Sequence, residues 1–337
     1  MRKLSFFLLG AILTFAFVFC GFGVSTTSVF AHENIVFIGG MSAGFTLKSG
    51  NVQIVGTCEV MTENGVCSPA LEAGLRTGDH IIKVGGIRVE TIAELNEVVD
   101  KSQGKTVALE VERGSETLIV QIQSVKDRVA GRYKIGVLAR DSVSGIGTVT
   151  YIDPSNRRFA ALGHSVVGEN KRELKISDGI VYECNIVGVS KGIRGKAGEL
   201  RGMFLSDKTL GKAEKLCHCG IFGEISNDYR TDGLTRATAD SSNVIPGEAY
   251  IYSTVNGAER KRFTIDIVKV DRNNKENKNY VIKVTDEALI SETGGIVQGM
   301  SGSPIVQNGK LIGAVTHVFL NDPTRGYGID VQTMLKE

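Results

Sequence analysis

Tryptophan is missing from this chain, and proline occurs only 5 times in 337 residues, whereas glycine occurs 41 times. Scarce proline, with glycine scattered between short Val- and Ile-rich runs, excludes proline-rich linkers and collagen and favours many strands joined by glycine turns over a helical bundle. An excess of charge of either sign is missing too. The 39 Lys+Arg face 37 Asp+Glu, and Arg2 and Lys3 belong to an apolar leader, which leaves 37 against 37. That balance gives no electrostatic case for nucleic acid as a partner. Charged residues at 23% with abundant Phe, Val and Ile exclude a disordered chain, and the length suggests two domains at roughly 100–200 residues each.

Cysteine is sparse as well. Of the 6, Cys20 lies in the leader and the remaining 5 cannot all pair within one chain. Cys58 and Cys67 lie near an expected hairpin and offer a candidate bridge. Cys217-His218-Cys219 spaces its sulfurs more tightly than the usual zinc knuckle, so free or buried thiols is the reading adopted for all five, with no metal and no cofactor expected.

Long apolar runs are confined to the start. Residues 5–24 follow Arg2 and Lys3 and precede Ser25-Thr26-Thr27-Ser28-Val29-Phe30-Ala31, the layout of an export signal. Small residues at Val29 and Ala31 suit cleavage before His32, and some twenty apolar residues are also long enough for an uncleaved anchor. Residues 1–31 are therefore expected to be a signal peptide or membrane anchor, and the protein to work outside the cytoplasm.

The next stretch, residues 35–125, mixes strands and helices. Phe45-Thr46-Leu47-Lys48 and Val52-Gln53-Ile54-Val55 around Gly50 predict a hairpin. Ser68-Pro69-Ala70-Leu71-Glu72-Ala73-Gly74 predicts a short helix begun by Ser and Pro and stopped by Gly. A strand at 80–84, a Gly85-Gly86 turn, a helix over 92–99 and two strands at 106–113 and 116–122 complete the unit. Residues 68–86, Ser-Pro-Ala-Leu-Glu-Ala-Gly-Leu-Arg-Thr-Gly-Asp-His-Ile-Ile-Lys-Val-Gly-Gly, resemble the core signature of a bacterial PDZ domain. Such a domain adds an extended peptide to a strand edge, and the resemblance points to Gly40, Gly44 and Phe45 as the peptide-binding positions.

After a short polar linker, residues 132–337 read as short strands punctuated by glycine, an all-β barrel or sandwich. The chemistry sits in Gln298-Gly299-Met300-Ser301-Gly302-Ser303-Pro304-Ile305-Val306. A serine in this glycine-flanked turn resembles the nucleophile of chymotrypsin-like proteases. The glycines permit a sharp turn that exposes the Ser301 hydroxyl and aims the Gly299 and Ser301 amides at one oxyanion. A serine nucleophile needs a base. His164, at a small-residue strand end upstream of the serine, takes that role ahead of His80 on the PDZ strand, His218 in an expected core position and His317 near the pocket. Asp286, after an apolar strand and before Ser301, keeps the His, Asp, Ser chain order and is selected as third member over Asp178 and Asp240; capping the turn that follows is its rival role.

Leader, PDZ signature, Leu162-Gly163-His164-Ser165 and Gly299-Met300-Ser301-Gly302-Ser303-Pro304-Ile305 together resemble the stage IV sporulation protein B family, the S55 serine peptidases. Residues 191–199 and Thr235-Arg236-Ala237 resemble that family's glycine-rich turns. The resemblance implies a mainly β chain, a PDZ domain (35–125) followed by a chymotrypsin-like double-barrel protease (132–337). It also implies release into the space between forespore and mother-cell membranes and self-cleavage. Its protein substrate would be a membrane-anchored regulator of an intramembrane metalloprotease, whose release activates a late sigma factor. The competing reading is a noncatalytic PDZ scaffold that recruits an exported partner.

Overall fold

The structure is a computed structural model that describes residues 34–166 and 178–337. The expected signal or anchor at 1–31 lies outside the described residues. The chain is mainly β, as expected, with two six-stranded barrels and a smaller mixed α/β unit in the region expected to be a PDZ domain.

In the second barrel, six antiparallel strands, Gly247–Ser253, Lys261–Val270, Tyr280–Val284, Asp322–Asp330, Lys310–Phe319 and Pro304–Gln307, close on themselves. Alternation in these strands points Ile251, Ile265, Ile282, Ile305 and Val315 into one core, since successive side chains on a strand face opposite sides. Six further strands close the first barrel. Ser42–Thr57 pairs with both Val137–Ile152 and Asp178–Ser190; the ring continues through Arg158–Ala161, Gly220–Ile225 and Glu199–Cys217. Phe45, Leu47, Val149, Phe159, Val181, Leu210 and Ile221 fill it. A separate apolar cluster, with Ala160 and Phe222 from one barrel and Ala314 and Ile329 from the other, seals the seam between them.

The PDZ fold is built differently from the sequence expectation. Residues 45–48 and 52–55 form no hairpin: both belong to the single strand Ser42–Thr57 and both pair with Val137–Ile152, Phe45 opposite Gly145 and Ile54 opposite Ala139. Gly50, at φ +67°, sits where the register shifts between those two stretches, so its left-handed backbone makes a bulge instead of a reversal. Along this one strand Ala43, Phe45 and Leu47 enter the barrel core, whereas Val52 and Ile54 enter a second core with Leu75, Ile81, Leu95, Leu109 and Ile122. The expected boundary at residue 35 therefore fails. Residues 35–48 pair with protease strands, and the PDZ fold is inserted into the first barrel between its first two strands. The helix expected over 92–99 runs Ile92–Lys101 and opens on a reciprocal Thr91–Glu94 capping box that the sequence reading did not identify, whereas Ser68, read as the cap of the short helix Pro69–Glu72, makes no side-chain cap bond.

Candidate active site

The two barrels face each other across a cleft of about 550 Å³ that is lined by His164, Gly299, Ser301, Thr316 and His317 and walled by Phe45, Val143, Ile146, Ile296, Val297 and Leu320. Sequence-predicted nucleophile and base thus meet in one place.

Ser301 stands in a turn that needs both of its glycines. Gly299 and Gly302 have φ of +97° and +94°, a region that side-chain-bearing residues rarely occupy. Met300 beneath them is fully buried. Among the described residues no acceptor takes the N–H of Gly299 or of Ser301. Across the seam, the Thr148 N–H donates to the Ser301 carbonyl at 2.9 Å, the Thr148 hydroxyl to the Gly299 carbonyl at 2.9 Å and the Thr150 hydroxyl to the Gly302 carbonyl at 2.8 Å. Both threonines are buried. Sequence reasoning missed them, although two threonines two apart share one strand face, and polar side chains on a face turned inward need a partner.

His164 follows two residues with left-handed backbone, Leu162 at φ +70° and Gly163 at φ +73°. A leucine held there costs about 1–2 kcal/mol, and such strain persists where the surroundings over-determine it, commonly at functional sites. The ring Nδ1–H donates to the Ser165 carbonyl at 2.7 Å. That bond fixes the tautomer and leaves Nε2 with a lone pair, the form a general base needs. Withdrawal from water lowers the His164 pKa below the ordinary imidazole value, and the Ser165 bond opposes this only in part. His317 lies with its ring centroid 4.9 Å from that of His164; withdrawal from water, His164 and Lys278 push its pKa down to about 4. Two imidazoles so close disfavour each other's protonation. The Ser301 hydroxyl donates to the Thr316 carbonyl at 2.9 Å, so its one proton is not shared with His164 in this arrangement.

Asp286 is not brought to His164, which corrects the sequence assignment. Its carboxylate caps the helix Glu287–Thr293, accepting from the Leu289 N–H at 3.0 Å and from the Thr264 N–H at 3.3 Å. Among the described residues, no carboxylate lines the cleft. Asp178 pairs with Lys48 and Asp240 with Lys310. Asparagine keeps the acceptor for the Leu289 N–H but not the one for Thr264, so Asp286→Asn is expected to keep kcat/KM at a slightly lower melting temperature, while Asp286→Ala loses about 1 kcal/mol. A 10³–10⁴-fold drop in kcat/KM for Asp286→Asn at an unchanged melting temperature would return the carboxylate to the mechanism.

The predicted peptide-binding positions also move. Phe45 is buried in the first barrel, Gly44 is paired on both sides and a side chain there would overlap the Phe204 ring, and Gly40 packs on Tyr252. None of the three faces an open strand edge. Cys58 and Cys67 are both free, because the short hairpin places Val60, not Cys58, opposite Cys67.

A family model described as SpoIVB peptidase S55 matches residues 131–335, and a PDZ domain model matches residues 59–123. The chain is 29% identical over 141 residues to the zinc metalloprotease RasP of Shouchella clausii, a match that covers 39% of this chain and 33% of that protein. It thus spans about a third of that relative's length. Among solved structures, the Rv3671c protease of M. tuberculosis matches in its inactive form with a TM-score of 0.34 at 14% identity, covering 57% of this chain and 81% of that one. In its active form the values are 0.33 and 13%, with 58% and 72% covered.

Proposed function

The chain belongs to the SpoIVB peptidase S55 family and is a serine peptidase, and on that premise we propose that it is an exported endopeptidase of sporulation that cuts its own N-terminal region and a membrane-anchored regulatory protein. Loss of that regulator frees an intramembrane metalloprotease, and a late sigma factor is activated. The site of action is the space between forespore and mother-cell membranes, a placement supported by the apolar leader at residues 5–24.

The observation that carries this reading is the meeting of Ser301 and His164 in one cleft beside two unpaired amides. In the first step the hydroxyl leaves the Thr316 carbonyl, Nε2 of His164 takes its proton, and Oγ attacks the peptide carbonyl. The Gly299 and Ser301 N–H groups hold the oxyanion. His164 then gives its proton to the leaving amine, and water, activated by the same nitrogen, releases the acyl group. The imidazolium is steadied by the Ser165 carbonyl. Apolar walls at Phe45, Val143, Ile146 and Leu320 suit substrates with apolar side chains at the cut.

Incubation of the purified chain with a fluorophosphonate probe, alongside mass spectrometry of N-terminal fragments, tests the reading. The probe is expected on Ser301 and on no other serine, with fragments appearing in its absence; a folded protein that gives neither label nor fragments sinks it. The pH profile supplies a second check. The base must be neutral to act, and its pKa is lowered, so the neutral form survives further into acid. The acid limb of kcat/KM should therefore fall below pH about 6.5, the ordinary histidine value. A limb at or above that value would show that the protonating group is not His164 in its buried setting.

A further inference from the structure

The turn that joins Glu199–Cys217 to Gly220–Ile225 carries Cys217, His218 and Cys219, and Glu337 folds back beside it. His218 is exposed on this turn and is not in the core position expected from sequence. One donor atom from each of the four residues lies within 4.8 Å of the other three, and the two sulfurs are 3.1 Å apart. Ligands placed tetrahedrally about 2.0–2.3 Å from a zinc ion are themselves separated by about 3.3–3.8 Å, so modest side-chain rotations bring all four into range. We propose that Cys217, His218, Cys219 and Glu337 bind one zinc ion as a four-coordinate structural site.

Two sulfurs, an imidazole and a carboxylate form a donor set suited to zinc in tetrahedral geometry. The backbone already holds these donors. The Asn277 side-chain amide donates to the His218 carbonyl at 2.6 Å, and the Cys219 N–H points at the Cys217 sulfur at 3.4 Å. Lys215 fixes Glu337, its ammonium lying 2.6 Å from the carboxylate and donating at 3.2 Å to the main-chain oxygen. Outer partners of this kind orient ligands and tune affinity. A disulfide is the competing fate of two close sulfurs. With a single residue between them it would close a loop too short to gain much from chain entropy, and it would leave His218 and Glu337 without a role.

The site is placed to steady the cleft. Gly220, at φ +138°, packs so closely that a side chain there would overlap the Ala161 carbonyl oxygen and crowd the Gly163 nitrogen, and those residues lead into His164. From the other side, Asn277 accepts from the Thr316 hydroxyl at 3.3 Å, and the Thr316 carbonyl receives Ser301. A clamp at the turn therefore restrains the backbone that presents the base and the residue that holds the nucleophile.

The test is a titration of the full chain, reduced and stripped by a chelator, with zinc and in parallel with cobalt(II). One ion per chain is expected, with cobalt giving the visible bands and sulfur-to-metal charge transfer of tetrahedral thiolate coordination, and zinc raising the melting temperature. Cys217→Ser and Cys219→Ser should each lose this binding. Lys215→Ala should weaken it by roughly 10–100-fold, and Cys58→Ser should leave it unchanged. The wild-type titration decides the matter without the variants: no stoichiometric uptake, a cobalt spectrum without thiolate charge transfer, or a Cys217–Cys219 disulfide in the protein as isolated overturns the proposal.

Discussion

Ser301→Ala and His164→Ala should each lower kcat/KM by roughly 10⁴–10⁶-fold while leaving the circular dichroism spectrum and melting temperature close to wild type. The hydroxyl removed from Ser301 makes one hydrogen bond, to a carbonyl at the edge of an open cleft where water can replace it, so folding loses little. The imidazole removed from His164 gives up a bond to its own neighbour, Ser165. Chemistry loses nearly everything, because without Oγ there is nothing to acylate and without Nε2 nothing removes its proton. Residues that act as one unit do not add, so the double variant should be no slower than the worse single one. Under the proposed function, cleavage of a peptide and of the chain's own N-terminal region should fall together, because one site would perform both. Full activity in either variant would show that the Ser301–His164 pair is not the machinery.

Ser301, His164, Gly299 and the PDZ core were legible because their signals are local. A glycine on each side of a serine and a strand ending in small residues are written within a few positions of the residue they identify. What was lost depends on partners distant in sequence. Phe45 to Lys48 alternate as any half-buried strand does, and only their pairing with residues 142–145 and 178–181 places them in a barrel. Gly50 flanked by two alternating runs reads as a reversal, and whether it turns or bulges is decided by the strand alongside. Asp286 shows the limit differently. A carboxylate before a helix is equally a cap or a catalytic partner until the imidazole's position is known, and here the cap won. Cys217-His218-Cys219 was set aside because its two cysteines stand closer together than in a zinc knuckle, and Glu337 approaches the three only in the fold.

The insertion gives the PDZ fold a direct mechanical path to the nucleophile. Both Ser42–Thr57 and Val137–Ile152 run unbroken from the PDZ core into the first barrel, and the second of them ends in the threonines that hold the Ser301 turn. Val137 and Ala139 pack on the PDZ core while Val149 and Ile152 pack in the barrel. A shift of this strand along its axis would move Thr148 relative to the Gly299 and Ser301 carbonyls.

Gly302→Ala should break this junction more severely than any other single methyl in the turn. A Cβ there would overlap the Thr148 carbonyl oxygen and lie 2.5 Å from the Leu162 nitrogen, two backbone groups that cannot rotate aside. It would also sit at φ +94°, where alanine is strained. Strain of about 1–3 kcal/mol and overpacking of about 1–3 kcal/mol together amount to roughly 2–6 kcal/mol. On a chain of this size that lowers the melting temperature by roughly 5–15 °C. The overlap pushes the Ser301 turn away from both the Thr148 strand and the strand end that presents His164, and a displacement near 1 Å costs on the order of 10²-fold in rate. Gly309→Ala is the matched control. Its φ is +76°, yet nothing lies within 4 Å of its added methyl, so it bears the backbone strain alone and should keep full kcat/KM. If the two variants lose the same stability and both retain activity, contact between the Ser301 turn and the first barrel is not what sets the geometry of the nucleophile.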